Sequence, residues 1–265
     1  ALVAVFFIIY SWALDFSGIA ALVAVAAFLF LAPTLFMSAM RFRLANTSWR
    51  GLRFHFVGDK RGAYQALVPP LALLLLPTSL MALLGGDDAK PSAALVGAMG
   101  GAVGLLYLLL VLALPYFLWR LKSYQHQHMA YGGMRTEFRT TPRSFYKVAL
   151  GTLGVALAGL ALLGAAAAVM LPVGGWTGGF AAIFWVLVPL IFIGFIFFNI
   201  VPRSFWQART QNLVWSRTGN NHFRFKSTLS ARSFIWLQFK NYLLILLTLG
   251  FYWPFAVVAT KRAKL

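Results

Sequence analysis

Residues 93–119 read AALVGAMGGAVGLLYLLLVLALPYFLW, and Arg120 follows at once. As a helix these 27 residues extend about 40 Å, more than the roughly 30 Å of a bilayer's hydrocarbon core. Apolar and polar residues do not alternate along the stretch, which disfavours a strand of an all-β barrel. It therefore predicts a transmembrane helix that ends at a basic segment.

Four more uncharged runs have the required length: Gly18 to Met40, Ala63 to Gly86, Val148 to Leu171 and Gly178 to Val201. A sixth, Ala1 to Leu14, is long enough only with residues before it. It opens on Ala inside an apolar run with no basic leader, so we read it as the continuation of a longer chain and not as a signal peptide. The composition agrees. Of 265 residues 61% are hydrophobic and 11% charged, with mean hydropathy +0.79, whereas a soluble domain carries about 25% charged residues. With no cysteine, the chain has no disulfide framework, thiol nucleophile or zinc-thiolate site.

The net charge of +18 comes from 23 Lys and Arg against five Asp and Glu. Of those cations 22 fall in four segments, Arg41 to Arg61, Arg120 to Lys147, Arg203 to Lys240 and Lys261 to Lys264. The intervening loops hold Asp15, then Asp87, Asp88 and Lys90, and the turn from Pro172 to Thr177 is uncharged. Cations flanking spans stay on the cytoplasmic side, so the basic segments are expected there and the short loops outside.

The basic segments also resemble one another. Pro33, Pro115 and Pro202 are each followed after 23 residues by Phe56, Phe138 and Phe225. Arg53, Arg135 and His222 hold a second common offset, and Gly51, Gly133 and Asn220 a third. Such a period suggests one membrane domain over 1–265 built from modules at 1–62, 63–147, 148–232 and 233–265. Leu52 to Phe56 and His222 to Lys226 alternate in the manner of half-buried strands, each preceded by turn formers. Short cytoplasmic strands or hairpins are expected, with His55 and His222 packed against their sheet.

At two of these places the chain resembles the YjgN-like inner-membrane proteins of bacteria, a family of unknown function. One piece is Leu44-Ala45-Asn46-Thr47-Ser48-Trp49-Arg50-Gly51-Leu52-Arg53-Phe54. The other runs from Asn241-Tyr242-Leu243-Leu244 through Leu247-Thr248-Leu249-Gly250-Phe251-Tyr252-Trp253-Pro254-Phe255-Ala256. In the second, Phe255 stands where the family usually has Trp and Val257 where it has Lys, while basic residues return at Lys261 and Arg262. The resemblance implies a bacterial inner-membrane location. It implies no catalytic or ligand-binding residue.

Catalysis needs acids, bases, nucleophiles or metal ligands within reach of one another. The carboxylates are Asp15, Asp59, Asp87, Asp88 and Glu137, and only Asp87 and Asp88 adjoin, in an exterior loop read as a solvated turn. His126 and His128 would share a metal on a strand but diverge on a helix, and a basic interfacial segment is the reading taken. No nucleotide, hydrolase or metalloprotease motif is present. We expect no enzyme, no cofactor and no metal. The five clear spans contain no ionisable residue, which argues against a proton-driven carrier. Asn199, the most polar deep residue, is expected to cap or bond a neighbouring helix.

The small-residue faces Gly97/Gly101, Gly100/Gly104 and Gly151, Gly154, Ala158, Gly159 are expected to pack spans within the chain, with a dimer face as the other use. Pro69, Pro70, Pro77 and Pro189 are expected to kink their spans. Tryptophans near the basic ends fit an interfacial belt. The cations enforce topology and lie near anionic headgroups. Arg53, Arg135, Arg139, Arg143 and Arg224 are the candidate contacts for such headgroups or for another membrane protein, the middle three forming a stripe if helical. Nucleic acid is disfavoured, because the cations are spread over every inner loop.

The sequence thus reads as an all-α polytopic membrane protein of repeated helical hairpins with short cytoplasmic strands. Its function is read as an accessory or lipid-associated factor of a membrane complex, the alternative being a passive channel or transporter. Asn241 to Ala259 could just cross the bilayer, which would put Lys261, Arg262 and Lys264 outside. We read it as a re-entrant hairpin turning at Thr248-Leu249-Gly250, with Pro254 in the returning arm and Ser233 to Lys240 along the interface before it.

Overall fold

The computed structural model describes residues 2–49, 51–84, 92–131, 133–220 and 224–264. Side chains are described for these except at 2, 3, 49, 84, 93, 95, 171–183, 185 and 186. Asp87, Asp88, Lys90 and His222 therefore lie outside the described residues. The helices are α1 (Leu2–Phe16), α2 (Gly18–Ala45), α3 (Lys60–Leu84), α4 (Ala93–Gln127), α5 (Pro142–Ser216), α6 (Ala231–Leu247) and α7 (Trp253–Arg262). The strands are β1 (Ser48–Trp49), β2 (Leu52–Phe56), β3 (Met129–Tyr131), β4 (Met134–Arg135), β5 (Glu137–Phe138) and β6 (Thr218–Gly219). Five helical segments are long and apolar enough to cross a membrane: Gly18–Ala45, Lys60–Leu83, Val96–Gln127, Pro142–Met170 and Leu187–Ser216. The chain is an all-α polytopic membrane protein with a few short strands.

These helices run past the apolar stretches, α2 to Ala45 and α4 to Gln127. Arg, Lys, Leu and Gln are good helix formers, and adding a residue to an existing helix costs far less than starting one.

The fold forms two compact units, one of Ala1–Pro142 with Thr218–His222, the other of Arg143–Arg217 with Phe223–Leu265. In the first, α1, α2 and α3 meet around Tyr10, Ala21, Val25 and Leu75. The Tyr10 hydroxyl donates to the Leu75 carbonyl at 3.1 Å and bonds the Thr78 and Ser79 hydroxyls at 2.6 and 3.0 Å. The Thr78 and Ser79 hydroxyls also donate to the Leu75 carbonyl of their own helix, at 3.1 and 2.9 Å, so it is the Tyr10 hydroxyl that would otherwise face hydrocarbon unpaired. Gly18 lets α2 touch the α3 backbone, since a Cβ there would lie 2.3 Å from the Leu83 nitrogen.

At the ends of these helices, β1 to β4 form an antiparallel sheet in that order. The hairpins β1–β2 and β3–β4 both turn in two residues, between Trp49 and Leu52 and between Tyr131 and Met134. Gly51 (φ +78°) and Gly133 (φ +86°) take the same place in the two turns, a left-handed conformation that glycine adopts without steric cost. Phe56 and Tyr124 anchor the sheet to the helices in a cluster with Met37, Ala63 and Ala66. β5 pairs with β6, joining the second basic segment to the third. Of the strand expected from His222 to Lys226, His222 and Phe223 lie outside the described residues, Arg224 is a lone bridge and 225–230 are irregular, while a short strand forms at Thr218–Gly219. There Asn212 offers the backbone other partners: it donates to the Leu229 carbonyl (2.8 Å) and accepts from the Leu229 N–H (2.9 Å) and the Ser227 hydroxyl (2.8 Å).

In the second unit the backbone of α5 is helical throughout its 75 residues, yet its halves meet. A Cβ on Gly159 would lie 1.9 Å from Phe197 Cε1, and one on Gly194 3.2 Å from Leu163 Cδ1. A straight helix would hold residues 159 and 197 about 57 Å apart, so the two halves lie antiparallel. Gly159 thus packs spans together as expected. Gly97, Gly100, Gly101 and Gly104 do not, because a Cβ on any of them meets no described atom within 4 Å.

The C-terminal segment is a helical hairpin. α6 ends at Leu247, the chain turns through Leu249 (φ 48°) and Gly250 (φ 96°), and α7 returns with Pro254 in its first turn. Asn241 Nδ2 reaches across to the Ala256 carbonyl (3.4 Å), and Gln238 Nε2 donates to Thr260 Oγ1 (3.1 Å). Along α6, Phe234 is 1% exposed and Trp236 67%. Phe234 is therefore enclosed by protein and does not lie along an interface beside Trp236.

Candidate functional site

Three helices of the second unit line a cavity of about 460 Å³. α5 contributes Asn199, Arg203 and Gln207, one helical turn apart and so on one face, with Ile200 and Ser204 beside them. α6 contributes Gln238, Asn241, Tyr242 and Ile245 at the same kind of spacing. α7 and the residues after it contribute Trp253, Ala256, Val257, Thr260, Lys261 and Lys264. The α6–α7 turn brings the last two sets together, because its left-handed residues reverse the chain within a few positions.

Charge sets the character of this cavity. Arg203, Lys261 and Lys264 line it, and among the described residues no carboxylate does. Lys264 Nζ donates to Gln207 Oε1 at 3.0 Å and lies 5.3 Å from the centre of the Phe234 ring, while Gln211 Nε2 donates to the Lys264 carbonyl at 2.6 Å. Burial, and then the charge of Arg203, hold the Lys264 ammonium below the ordinary lysine range. Asn241, 3% exposed, spends its amide on the hairpin itself. Asn199 bonds the Phe195 carbonyl of its own helix at 2.8 Å, not a neighbouring helix. Ile200, Ile245, Trp253, Ala256 and Val257 supply an apolar part of the wall, beside the polar Ser204, Gln238, Tyr242 and Thr260. The arrangement suits an anion with an apolar body: the Gln207 amide orients the Lys264 ammonium, and among the described residues no acid competes for the three cations.

The basic residues singled out in the sequence lie elsewhere. Arg53 and Arg135 occupy equivalent positions on β2 and β4, where strand alternation puts them with the exposed His55 on the face away from Phe54 and Phe56. His55 therefore does not pack against its sheet. Arg139 pairs with Glu137 through Nε at 2.9 Å and Nη2 at 2.7 Å, an exposed pair of small energetic weight. The expected stripe does not form: Arg135 is on β4, Arg139 follows β5, and Arg143 begins α5. Arg143 and Arg224 are exposed in the second unit, and Arg224 Nε donates to the Ser216 carbonyl at 3.4 Å.

His126 and His128 diverge. His126, in the last turn of α4, is buried, stacks on Phe138 and bonds Thr218 Oγ1 at 3.1 Å. His128 is 3.5 Å from Asp59 Oδ1 and bonds the Tyr124 carbonyl at 2.9 Å. Asp59 also accepts from the Gly62 N–H at 2.9 Å, which caps the start of α3. Among the described residues no three His, Cys, Asp or Glu side chains form a metal cluster.

Sequence reasoning passed over Arg203, Gln207, Lys261 and Lys264, although a signal was present. Polar residues recur at helical spacing on three successive segments, and every carboxylate precedes residue 138. No curated protein and no solved structure matches the chain. A family model does match, over residues 1–265, and the chain belongs to that family, the bacterial proteins of unknown function DUF898.

Proposed function

We propose that this protein is a non-enzymatic factor of the bacterial inner membrane that associates with anionic lipids through basic segments on the cytoplasmic side. One observation carries the reading. The second unit holds 12 Lys and Arg, Arg143, Lys147, Arg203, Arg209, Arg217, Arg224, Lys226, Arg232, Lys240, Lys261, Arg262 and Lys264, while all five carboxylates belong to the first unit. The Arg139–Glu137 ion pair and the 3.5 Å contact of His128 with Asp59 are also in the first unit. Cations confined beside apolar spans repel one another unless a counter-charge is supplied, and anionic headgroups supply it at about 1 kcal/mol per cation near the surface.

The full chain, purified in mild detergent after crosslinking in its own membrane, tests this by mass spectrometry of the lipids and proteins retained. The expected result is anionic lipid at a fixed ratio to protein, retained over zwitterionic lipid. Retention in proportion to the bulk membrane, together with ion conductance by the isolated protein in liposomes, would replace this reading with that of a channel.

A further inference from the structure

We propose that the cavity between the second half of α5 and the α6–α7 hairpin is a site for the phosphate monoester headgroup of a lipid, held by Arg203, Lys261 and Lys264. The inference rests on the lipid-associated reading and narrows it to one site and one headgroup chemistry.

Three features lead to this ligand. First, two of the cations, Arg203 and Lys261, have no hydrogen-bond or ion-pair partner among the described residues, and the third, Lys264, is held by a neutral amide and an aromatic ring. The Gln207 oxygen and the Phe234 ring orient the ammonium without neutralising it. Second, Arg203 and Gln207 are one turn apart on α5, so the Lys264 ammonium bonded to Gln207 is placed beside the Arg203 guanidinium. Burial, and then that like-charge neighbour, disfavour the charged Lys264, and an anion between the two cations would offset their repulsion. A phosphate monoester carries about −1.5 to −2 at neutral pH, against −1 for the diester of ordinary phospholipids. It also presents more oxygens to the guanidinium fork and the two ammonium groups. Third, the cavity is larger than a phosphate needs and lies within the roughly 300–1,000 Å³ of small-molecule sites. Ile200, Ile245, Trp253 and Val257 offer nothing to a free phosphate but suit the glycerol and first acyl carbons of a lipid.

The test uses the full-length protein in nanodiscs of zwitterionic lipid doped equally with phosphatidic acid or phosphatidylglycerol, with lipid retention read by native mass spectrometry. Phosphatidic acid is expected to be retained roughly tenfold more strongly, and R203Q/K264Q to lose that preference, since each charge-assisted bond removed costs about tenfold or more. Y10F, in the first unit and away from every basic segment, is expected to keep it. Equal retention of the two lipids would overturn the monoester site while leaving the general association with anionic lipid intact. Absence of anionic lipid altogether would overturn both. Displacement of phosphatidic acid by millimolar inorganic phosphate would show a free-phosphate site and overturn the lipid assignment. The wild-type comparison of headgroups decides the proposal even if the double variant does not fold.

Discussion

Lys264 donates from Nζ to Gln207 Oε1 at 3.0 Å, joining residues 57 apart in the chain. With Gln211 Nε2 on the Lys264 carbonyl at 2.6 Å, it fastens the end of the hairpin to α5. Gln207→Leu keeps the bulk and removes the acceptor. We expect a loss of about 1 kcal/mol, the usual net worth of such a bond at a half-exposed site. Limited proteolysis should then release the C-terminal residues sooner, and unchanged cleavage would show that the bond does not hold the hairpin.

The hairpin also predicts where the chain ends. A reporter fused after Leu265 should show cytoplasmic activity, since α7 runs back beside α6 through the Asn241–Ala256 bond. Periplasmic activity would mean that Asn241 to Ala259 crosses the membrane.

Because the protein has no cysteine, its orientation can be mapped on a clean background. Cysteines at Asp87 and Thr177 should react with an impermeant thiol reagent added to spheroplasts, and those at Lys60 and Gln127 should not, following the distribution of cations. The reverse labelling pattern would invert the topology.

Two helix glycines should respond differently to alanine. At Gly18 the new Cβ would be 2.3 Å from the α3 backbone, so the helices must separate, at a cost of about 1–3 kcal/mol. At Gly104 nothing lies within 4 Å, and relief of glycine's backbone entropy should leave stability equal or higher by about 0.5–1 kcal/mol. Thermal midpoints in detergent compare the two. A drop at Gly104 would show that the open face of α4 is covered in the membrane.

Tyr10→Phe removes a hydroxyl shared with Leu75, Thr78 and Ser79. Polar contacts between membrane helices average about 0.6 kcal/mol and reach about 1.7, so a small, measurable fall in the midpoint is expected. A loss well beyond that range would mean that the ring's packing, not its hydrogen bonds, was disturbed.

The unbroken apolar run 93–119 and its counterparts dictated helical spans by themselves, because a backbone in hydrocarbon must satisfy its own hydrogen bonds. Leu52 to Phe56 declared a strand by alternation, and Thr248-Leu249-Gly250 declared a turn through the glycine that a left-handed residue favours. Those features are local, and each is written within a few neighbouring residues. What only the tertiary structure decided is which polar side chains meet. Arg203 and Gln207 come from α5, Asn241 from α6 and Lys264 from just after α7, and their meeting depends on where α5 is joined by a hairpin whose arms lie 15 residues apart at Asn241 and Ala256. Likewise the Arg135–Arg139–Arg143 spacing suggested a helical stripe, but the intervening chain pairs with other segments as strands, and long-range pairing overrode the local pattern. Periodicity shows which face of an element is polar. Which faces meet depends on contacts between residues distant in the chain, and here those contacts gather the three cations of the cavity.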